Sequence, residues 1–145
     1  MIVVGNLTIG GTGKTPLVKY IALELANRGY KPGIVSRGYG GKFKETLEVT
    51  DKTTVKETGD EAQILSKLNL PFFIDKNRVR AIKKLLNNHD CDVIISDDGL
   101  QHYPMRRDIE NAVIDGKRRF GINITFPAGP LIETSQRVKE INAMG

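Results

Sequence analysis

The first fifteen residues constrain the fold most strongly, because they join a short apolar strand to a glycine-rich loop. They read MIVVGNLTIGGTGKT, and the Ile-Val-Val run at 2–4 is typical of a strand buried in a parallel sheet. Gly10, Gly11 and Gly13 let the backbone turn its N–H groups towards an anion, and a following helix directs its positive end to the same point. This order predicts a phosphate-binding loop.

The end of the loop supplies the side chains that such a site needs. Lys14 would reach the outer phosphates of a nucleotide, and the Thr15 hydroxyl would bind Mg²⁺. The usual pattern has a glycine five residues before Gly13, where this chain has Thr8. A glycine-rich turn before a helix is the alternative, but the strand and helix patterns on either side favour the phosphate loop.

Composition predicts one folded domain with an anionic partner. The chain has 145 residues, 39% of them hydrophobic and 27% charged, which is typical of a single globular unit with a core. No stretch approaches the roughly 20 apolar residues of a membrane-spanning helix. Cys91 is the single cysteine, so no internal disulfide forms. The net charge of +5 suits a nucleotide, a phospholipid or a nucleic acid.

Strand and helix patterns alternate along the chain, which predicts an α/β fold with a mostly parallel, doubly wound sheet in three α/β/α layers. The first helix is predicted over 15–28, because Leu17, Ile21 and Leu25 recur every four residues. Further strands are predicted at 33–36, 46–50, 71–74, 92–97 and 111–115, and further helices begin near 60 and 77. Residues 52–56 are predicted to be a polar connection.

The segment Arg37-Gly-Tyr39-Gly-Gly follows the second strand, at the end of the sheet where ligands of open α/β sheets bind. Arg37 would bind a phosphate through two parallel hydrogen bonds, and Tyr39 would pack on a sugar or base. An ordinary surface turn explains this composition equally well.

Asp60 has a structural and a functional interpretation. With Gln63 three residues later, it fits an N-cap with a reciprocal partner. The functional alternative is a carboxylate beside the nucleotide. From the residues alone, the cap is the favoured interpretation.

The helix predicted over 77–87 has a strongly basic side. Arg78, Arg80, Lys83 and Lys84 are predicted to share it, with Lys76 just before the helix. Such a run usually forms a solvated surface, although it would also suit anionic lipid headgroups.

An apolar strand ends in Asp97 and Asp98, and Gln101 and His102 follow shortly after. Phosphate-loop enzymes use an acidic strand end of this kind to hold or orient Mg²⁺. The alternative is a capped turn, which the phosphate loop upstream makes less favoured. His102 lies near the acids, on the same predicted edge of the sheet.

Five segments occur in the order and spacing of one family: VGNLTIGGTGKTP, SRGYGG, GDE, DDGLQH and PAGPLIE. Together they resemble the tetraacyldisaccharide 4'-kinases, the lipid A 4'-kinases of Gram-negative bacteria, over nearly the whole chain. The resemblance implies that ATP, with Mg²⁺, phosphorylates the 4'-hydroxyl of a lipid A disaccharide 1-phosphate at the cytoplasmic face of the inner membrane. We expect a monomer with no nucleic-acid partner.

The resemblance also implies roles for individual residues, and it makes Asp60 the group that activates the sugar hydroxyl together with a distant His. The implied set is Asp60, Lys14, Asp98 and His102 as catalytic residues; Gly10, Gly11, Thr12, Gly13, Lys14 and Thr15 for the nucleotide; Thr15, Asp97 and Glu133 for the metal; and Arg37, Tyr39, Arg78 and Gln101 for the substrate.

The chain departs from the family pattern at two flanking positions: Ala62 stands where the family usually has Pro, and Ile132 where it usually has Arg. Residues 1–145 are expected to form one nucleotide-binding kinase domain, a fragment without the family's N-terminal membrane helix and C-terminal lobe. The distant His belongs to that lobe, so poor turnover is expected of this chain alone.

Two other functions remain open at this point. Another phosphate-loop ATPase, of the type that partitions cargo or matures cofactors, would keep Lys14, Thr15 and Asp97 but would not explain DDGLQH. A basic domain that only binds anionic membrane or nucleic acid is the non-catalytic alternative. An aromatic content of 6% argues against nucleic acid, because stacking platforms are lacking.

Overall fold

The computed structural model describes residues 1–6, 14–97, 109–113 and 143–144. The strands are β1 (Ile2–Asn6), β2 (Pro32–Ser36), β3 (Leu47–Glu48), β4 (Phe72–Ile74), β5 (Val93–Asp97), β6 (Ile109–Val113) and β7 (Ala143–Met144). The helices are α1 (Lys14–Asn27), α2 (Val55–Thr58), α3 (Asp60–Ser66) and α4 (Arg78–Asn88).

The strands form one sheet in the order β3-β4-β2-β5-β1-β6-β7. Neighbouring strands run parallel, except that the edge strand β3 pairs antiparallel with β4. The chain leaves β1 towards β2 on one side, and it leaves β5 towards β6 on the other side of β1. The topological switch point therefore lies between β1 and β5, which is where ligands of open α/β sheets bind.

Helices cover both faces of the sheet. Side chains alternate between the two faces along each strand, so each face presents apolar side chains for a helix to pack against. Ile34, Phe72 and Ile74 are buried in one cluster with residues of α1 and α3. Val35 and Phe73, each one residue away, are buried in a second cluster with residues of α4. The three-layer, mostly parallel α/β fold predicted from the sequence is confirmed.

Local signals in the sequence explain where the long helices end and begin. Gly29 takes a left-handed conformation after α1, with φ of +87°, and its N–H donates to the Ala26 carbonyl at 3.0 Å, as in a glycine-terminated helix. Asn77 caps α4, because its side chain accepts from the Arg80 N–H at 3.1 Å. None of the described helices is long and apolar enough to cross a bilayer.

Three elements differ from the prediction. Residues 52–56 are not all polar connection, since α2 begins at Val55. The strand predicted over 46–50 pairs only at Leu47 and Glu48, because it lies at the sheet edge and has one partner. β6 begins at Ile109 rather than at residue 111, since its pairing follows β1 from Ile2 to Asn6.

Candidate functional site

The predicted site residues follow strands whose carboxyl ends meet at one edge of the sheet. β1, β2, β4 and β5 are parallel, so their last residues, Asn6, Ser36, Ile74 and Asp97, lie along the same edge. The segments that follow these strands are therefore brought together. We call this edge the carboxyl edge.

The predicted strand–loop–helix order is confirmed at its two ends. β1 ends at Asn6 and α1 begins at Lys14, followed by Thr15. The first turn of α1 contains no acidic residue, so no side chain of that turn opposes the partial positive charge of the helix N-terminus. Such an end favours a bound anion. Gly10, Gly11, Thr12 and Gly13 lie outside the described residues.

Asp97 ends β5 directly beside β1. Its Cα partner across the sheet is Val4, and its side chain is only 1% exposed. Ile95, two residues earlier, packs in the cluster that contains Val18 and Ala22 of α1, so alternation puts Asp97 on the sheet face that α1 covers. The carboxylate therefore lies at the edge where α1 begins, as the sequence predicts.

A divalent cation at this point would need ligands from a bound phosphate as well as from protein. In the part of the chain that the structure describes, no three His, Cys, Asp or Glu residues form a metal-binding group. Mg²⁺ commonly uses one or two carboxylates together with substrate phosphates and water. The buried Asp97 carboxylate and the Thr15 hydroxyl fit that kind of site.

The Arg37–Gly41 loop packs closely against α2 and Gly59, and two glycines permit this close approach. A Cβ at Gly59, whose φ is +86°, would lie 2.1 Å from the Tyr39 carbonyl oxygen, and a Cβ at Gly41 would lie 2.4 Å from the Glu57 carbonyl oxygen. The Lys42 N–H also donates to the Lys56 carbonyl at 2.9 Å. The structure thus joins two sequence motifs, the loop after β2 and the Gly-Asp-Glu segment.

The side chains predicted to contact the substrate are largely open to solvent at this junction. Arg37 and Asp60 are exposed, and Tyr39 is 81% exposed. Their chemistry is therefore available to a ligand that approaches the carboxyl edge. Their individual roles stay predictions.

The N-cap interpretation of Asp60 is wrong. The cap of α3 is Gly59, and Asp60 is the first helical residue. Gln63 does not return to Asp60, because its Nε2 donates to the Thr53 carbonyl at 2.7 Å and to the Thr58 hydroxyl at 3.0 Å. The Asp60 carboxylate is therefore not used in capping. The functional interpretation, a carboxylate beside the nucleotide, remains for this residue.

The reciprocal capping contact occurs one helix earlier. The Glu57 Oε2 atom accepts from the Thr54 N–H and from the Thr54 hydroxyl, both at 2.8 Å. These two hydrogen bonds, that of the backbone first, lower the pKa of Glu57. A Thr-x-x-Glu pattern is a recognised sign of a helix start, and here it marks α2, where the sequence analysis predicted a connection.

Asp75 is a charged group at the carboxyl edge that the sequence analysis did not single out. Its side chain is 1% exposed and follows β4 directly. It accepts from the Asn77 N–H at 2.8 Å, from Arg80 through Nε at 2.5 Å and Nη2 at 2.9 Å, and from the Thr46 hydroxyl. An acid placed immediately after an apolar strand and before an Asn cap was the available signal.

The environment of Asp75 keeps it ionised. Burial alone raises the pKa of this carboxyl, but the hydrogen bonds from Arg80, Thr46 and the Asn77 N–H outweigh burial and lower the pKa from 3.8 to about 2. The ion pair raises the pKa of Arg80 in return. The Arg80 side chain is 57% exposed, so one end of the pair is buried and the other is open to solvent.

The expectation that Arg78 lies on the solvated side of α4 is wrong. Arg78 is 3% exposed, and its Nη1 donates to the Asp75 carbonyl at 2.6 Å. The reason is helical geometry, since Arg78, Ala81 and Leu85 follow the i, i+3, i+7 spacing of the side that faces the sheet. Its contact with the substrate phosphate stays a prediction. A phosphate would have to reach a side chain that is buried in this structure.

Besides the four loop residues at 10–13, four more predicted site residues lie outside the described residues: Asp98, Gln101, His102 and Glu133. Their roles stay predictions. Asp98 directly follows the buried end of β5.

A parallel sheet with a strand–loop–helix junction at its switch point and a buried acid on the adjacent strand defines an α/β protein of the phosphate-loop class. A sequence model of the family described as tetraacyldisaccharide-1-P 4'-kinase matches residues 1–144. The chain belongs to this family.

Individual relatives agree with the family match. The chain is 47% identical over 146 residues to the tetraacyldisaccharide 4'-kinase of Methylobacillus flagellatus, covering 99% of this chain and 44% of that protein. It is 48% identical to the enzyme of Shewanella sediminis, covering 99% of this chain and 43% of that one. The chain thus spans less than half the length of these relatives.

A solved structure supports the fold as well. The "apo" form of LpxK from Aquifex aeolicus, in complex with ATP, matches with a TM-score of 0.84 and 32% sequence identity. The match covers 99% of this chain and 46% of that chain. At this similarity, the described sheet and helices correspond to one portion of that protein.

Proposed function

We propose that this chain is the nucleotide-binding portion of an ATP-dependent kinase that phosphorylates the 4'-hydroxyl of a tetraacyl disaccharide 1-phosphate in lipid A biosynthesis. The observation that carries the proposal is the β1–α1 junction, in a chain that matches the family over residues 1–144. Lys14 and Thr15 open the helix where a nucleotide's phosphates would lie. The related structure with ATP supports this nucleotide.

Phosphoryl transfer depends mainly on positioning and charge neutralisation. Lys14 would neutralise the outer phosphates, and the N-terminus of α1 would orient them. Asp97 and Thr15 would hold Mg²⁺ together with those phosphates, with Glu133 as a further ligand. The cation would supply electrostatic stabilisation of the transferring phosphoryl group.

The acceptor would lie on the neighbouring part of the carboxyl edge. Asp60 is exposed at the start of α3 and is not used as a cap, so its carboxylate would accept the proton of the sugar hydroxyl. Arg37 and Tyr39 lie on the loop that packs against Gly59 and would contact the phosphate and sugar of the acceptor. A lipid acceptor implies action at the cytoplasmic face of the inner membrane.

Transfer of labelled γ-phosphate from ATP to a lipid A disaccharide 1-phosphate in detergent tests this proposal. The assay compares this chain with a version extended to the length of its relatives, each with and without Lys14→Ala. We expect transfer by the extended protein, and loss of that transfer in its Lys14→Ala variant. ATP hydrolysis without transfer in both lengths would instead indicate another phosphate-loop ATPase.

A further inference from the structure

One short segment of the chain is markedly basic. The chain has 22 Lys and Arg against 17 Asp and Glu, and residues 76–88 contain five of the basic residues and none of the acidic ones. The rest of the chain therefore has 17 residues of each sign. Because its five positive charges lie within thirteen residues, this segment forms a local concentration of positive charge.

The structure divides these five basic residues by role. Arg78 is buried against the sheet, and Arg80 is paired with Asp75. Lys76, Lys83 and Lys84 are exposed, and within the described part of the chain none of the three forms an ion pair. Arg80, Lys83 and Lys84 lie at i, i+3 and i+4, on the side of α4 roughly opposite Ala81 and Leu85. We call Lys76, Arg80, Lys83 and Lys84 the basic face of α4.

Like charges on this side of α4 do not stabilise the fold. Like charges three or four residues apart destabilise a helix, whereas a solvated helix surface commonly alternates acids and bases. No acid of α4 offsets Lys83 and Lys84, so this surface presents positive charge to which an external anion can bind. Leu86, 49% exposed beside it, adds an apolar contact next to the charges.

The position of α4 indicates what kind of anion this is. α4 follows β4, so its N-terminus and Lys76 lie at the carboxyl edge where the acceptor would bind. A lipid acceptor is delivered from a membrane, and a membrane at that edge would meet the basic face of α4. We propose that the basic face of α4 docks on anionic phospholipid headgroups, an inference that rests on the proposed function for the choice of lipid.

Vesicle co-sedimentation of this chain tests the proposal. The probes are vesicles of phosphatidylcholine alone and of phosphatidylcholine mixed with phosphatidylglycerol, at low and at high salt. Each lysine near an anionic surface changes the partition coefficient about fivefold, so Lys83→Gln with Lys84→Gln should weaken binding to the anionic vesicles about 25-fold. Binding by the unsubstituted chain should fall steeply with salt.

A matched pair of substitutions controls for the change in net charge. Lys19 and Lys67 are also exposed lysines, but they lie on α1 and directly after α3, and these helices cover the sheet face opposite α4. Lys19→Gln with Lys67→Gln should therefore leave vesicle binding nearly unchanged. Equal losses in the two pairs would overturn the proposal, as would absent binding or equal binding to neutral vesicles. Tight binding to an oligonucleotide that only the α4 pair abolishes would also overturn it, in favour of a nucleic-acid surface.

Two further measurements separate this inference from the proposed function and from misfolding. The α4 pair should leave the ATP affinity of this chain unchanged, and in the extended protein it should leave transfer to a detergent-solubilised acceptor unchanged, because detergent removes the need for docking. If transfer fails in every protein, the proposed function fails while the vesicle result stands. If the α4 pair shows a lower urea midpoint, Lys76→Gln with Lys84→Gln repeats the test, with the same expected loss.

Discussion

Replacing Asp75 by Asn should destabilise the fold in a way that depends on pH. Asp75 is buried, and its ionised form accepts hydrogen bonds from Arg80, Thr46 and the Asn77 N–H. Asn offers one acceptor atom where Asp offers two, and it has no charge to attract Arg80. The substitution therefore removes the ionic part of the network while it keeps the size of the side chain.

The shift in the pKa of Asp75 gives the size of this effect. The pKa falls from 3.8 to about 2 on folding, and each unit corresponds to about 1.4 kcal/mol, so ionised Asp75 contributes roughly 2 kcal/mol to the free energy of unfolding at neutral pH. Because the folded pKa is depressed, this contribution is fully present above the unfolded pKa. It is lost as the pH falls towards 2, with about half of it gone near pH 3.

Urea unfolding of both proteins between pH 7 and pH 3 measures this difference. The free energy of unfolding should be roughly 2 kcal/mol lower in Asp75→Asn at pH 7, and the gap should narrow as the pH falls below 4. Asp51→Asn is the control, because Asp51 is exposed and its substitution should show a small difference at every pH. A gap that is constant from pH 7 to pH 3 would refute the ionic explanation.

Three further substitutions test the site. Lys14→Ala should weaken Mg·ATP binding to this chain roughly 10- to 100-fold by calorimetry, and unchanged affinity would show that the loop is not a phosphate site. Asp60→Asn should change the free energy of unfolding by less than about 1 kcal/mol, leave ATP affinity intact and abolish transfer in the extended protein; a large loss of stability would restore a structural role. Gly59→Ala should lower the free energy of unfolding, measured with urea, by roughly 3 kcal/mol or more, because its Cβ would lie 2.1 Å from the Tyr39 carbonyl oxygen. Gly40 has a φ of +80°, but an added Cβ would have no atom within 4 Å. Gly40→Ala should therefore lower the free energy of unfolding by only about 1 kcal/mol, and equal losses of stability in the two variants would contradict the steric argument.

Periodicity and turn chemistry in the sequence were enough to predict the layered α/β fold. The run from Val93 to Ile95 is apolar and is followed by Ser96 and the acidic Asp97, and these residues form β5 in the middle of the sheet. The glycine loop between β1 and α1 was placed correctly at both ends. These features depend on residues that are close in the chain, so a local pattern contains the necessary information.

Contacts between distant segments were decided only by the tertiary structure. The cap predicted at Asp60 belongs to Gly59, because the backbone there is held against Tyr39 by a close approach that only glycine permits. Arg78 is buried rather than exposed, since the side of α4 that meets the sheet is set by packing and not by charge. Asp75 gains its low pKa from Thr46 and Arg80, and Thr46 lies 29 positions away in the chain. A sequence pattern cannot show which polar groups from separate segments will meet, because their burial depends on how the whole sheet is assembled.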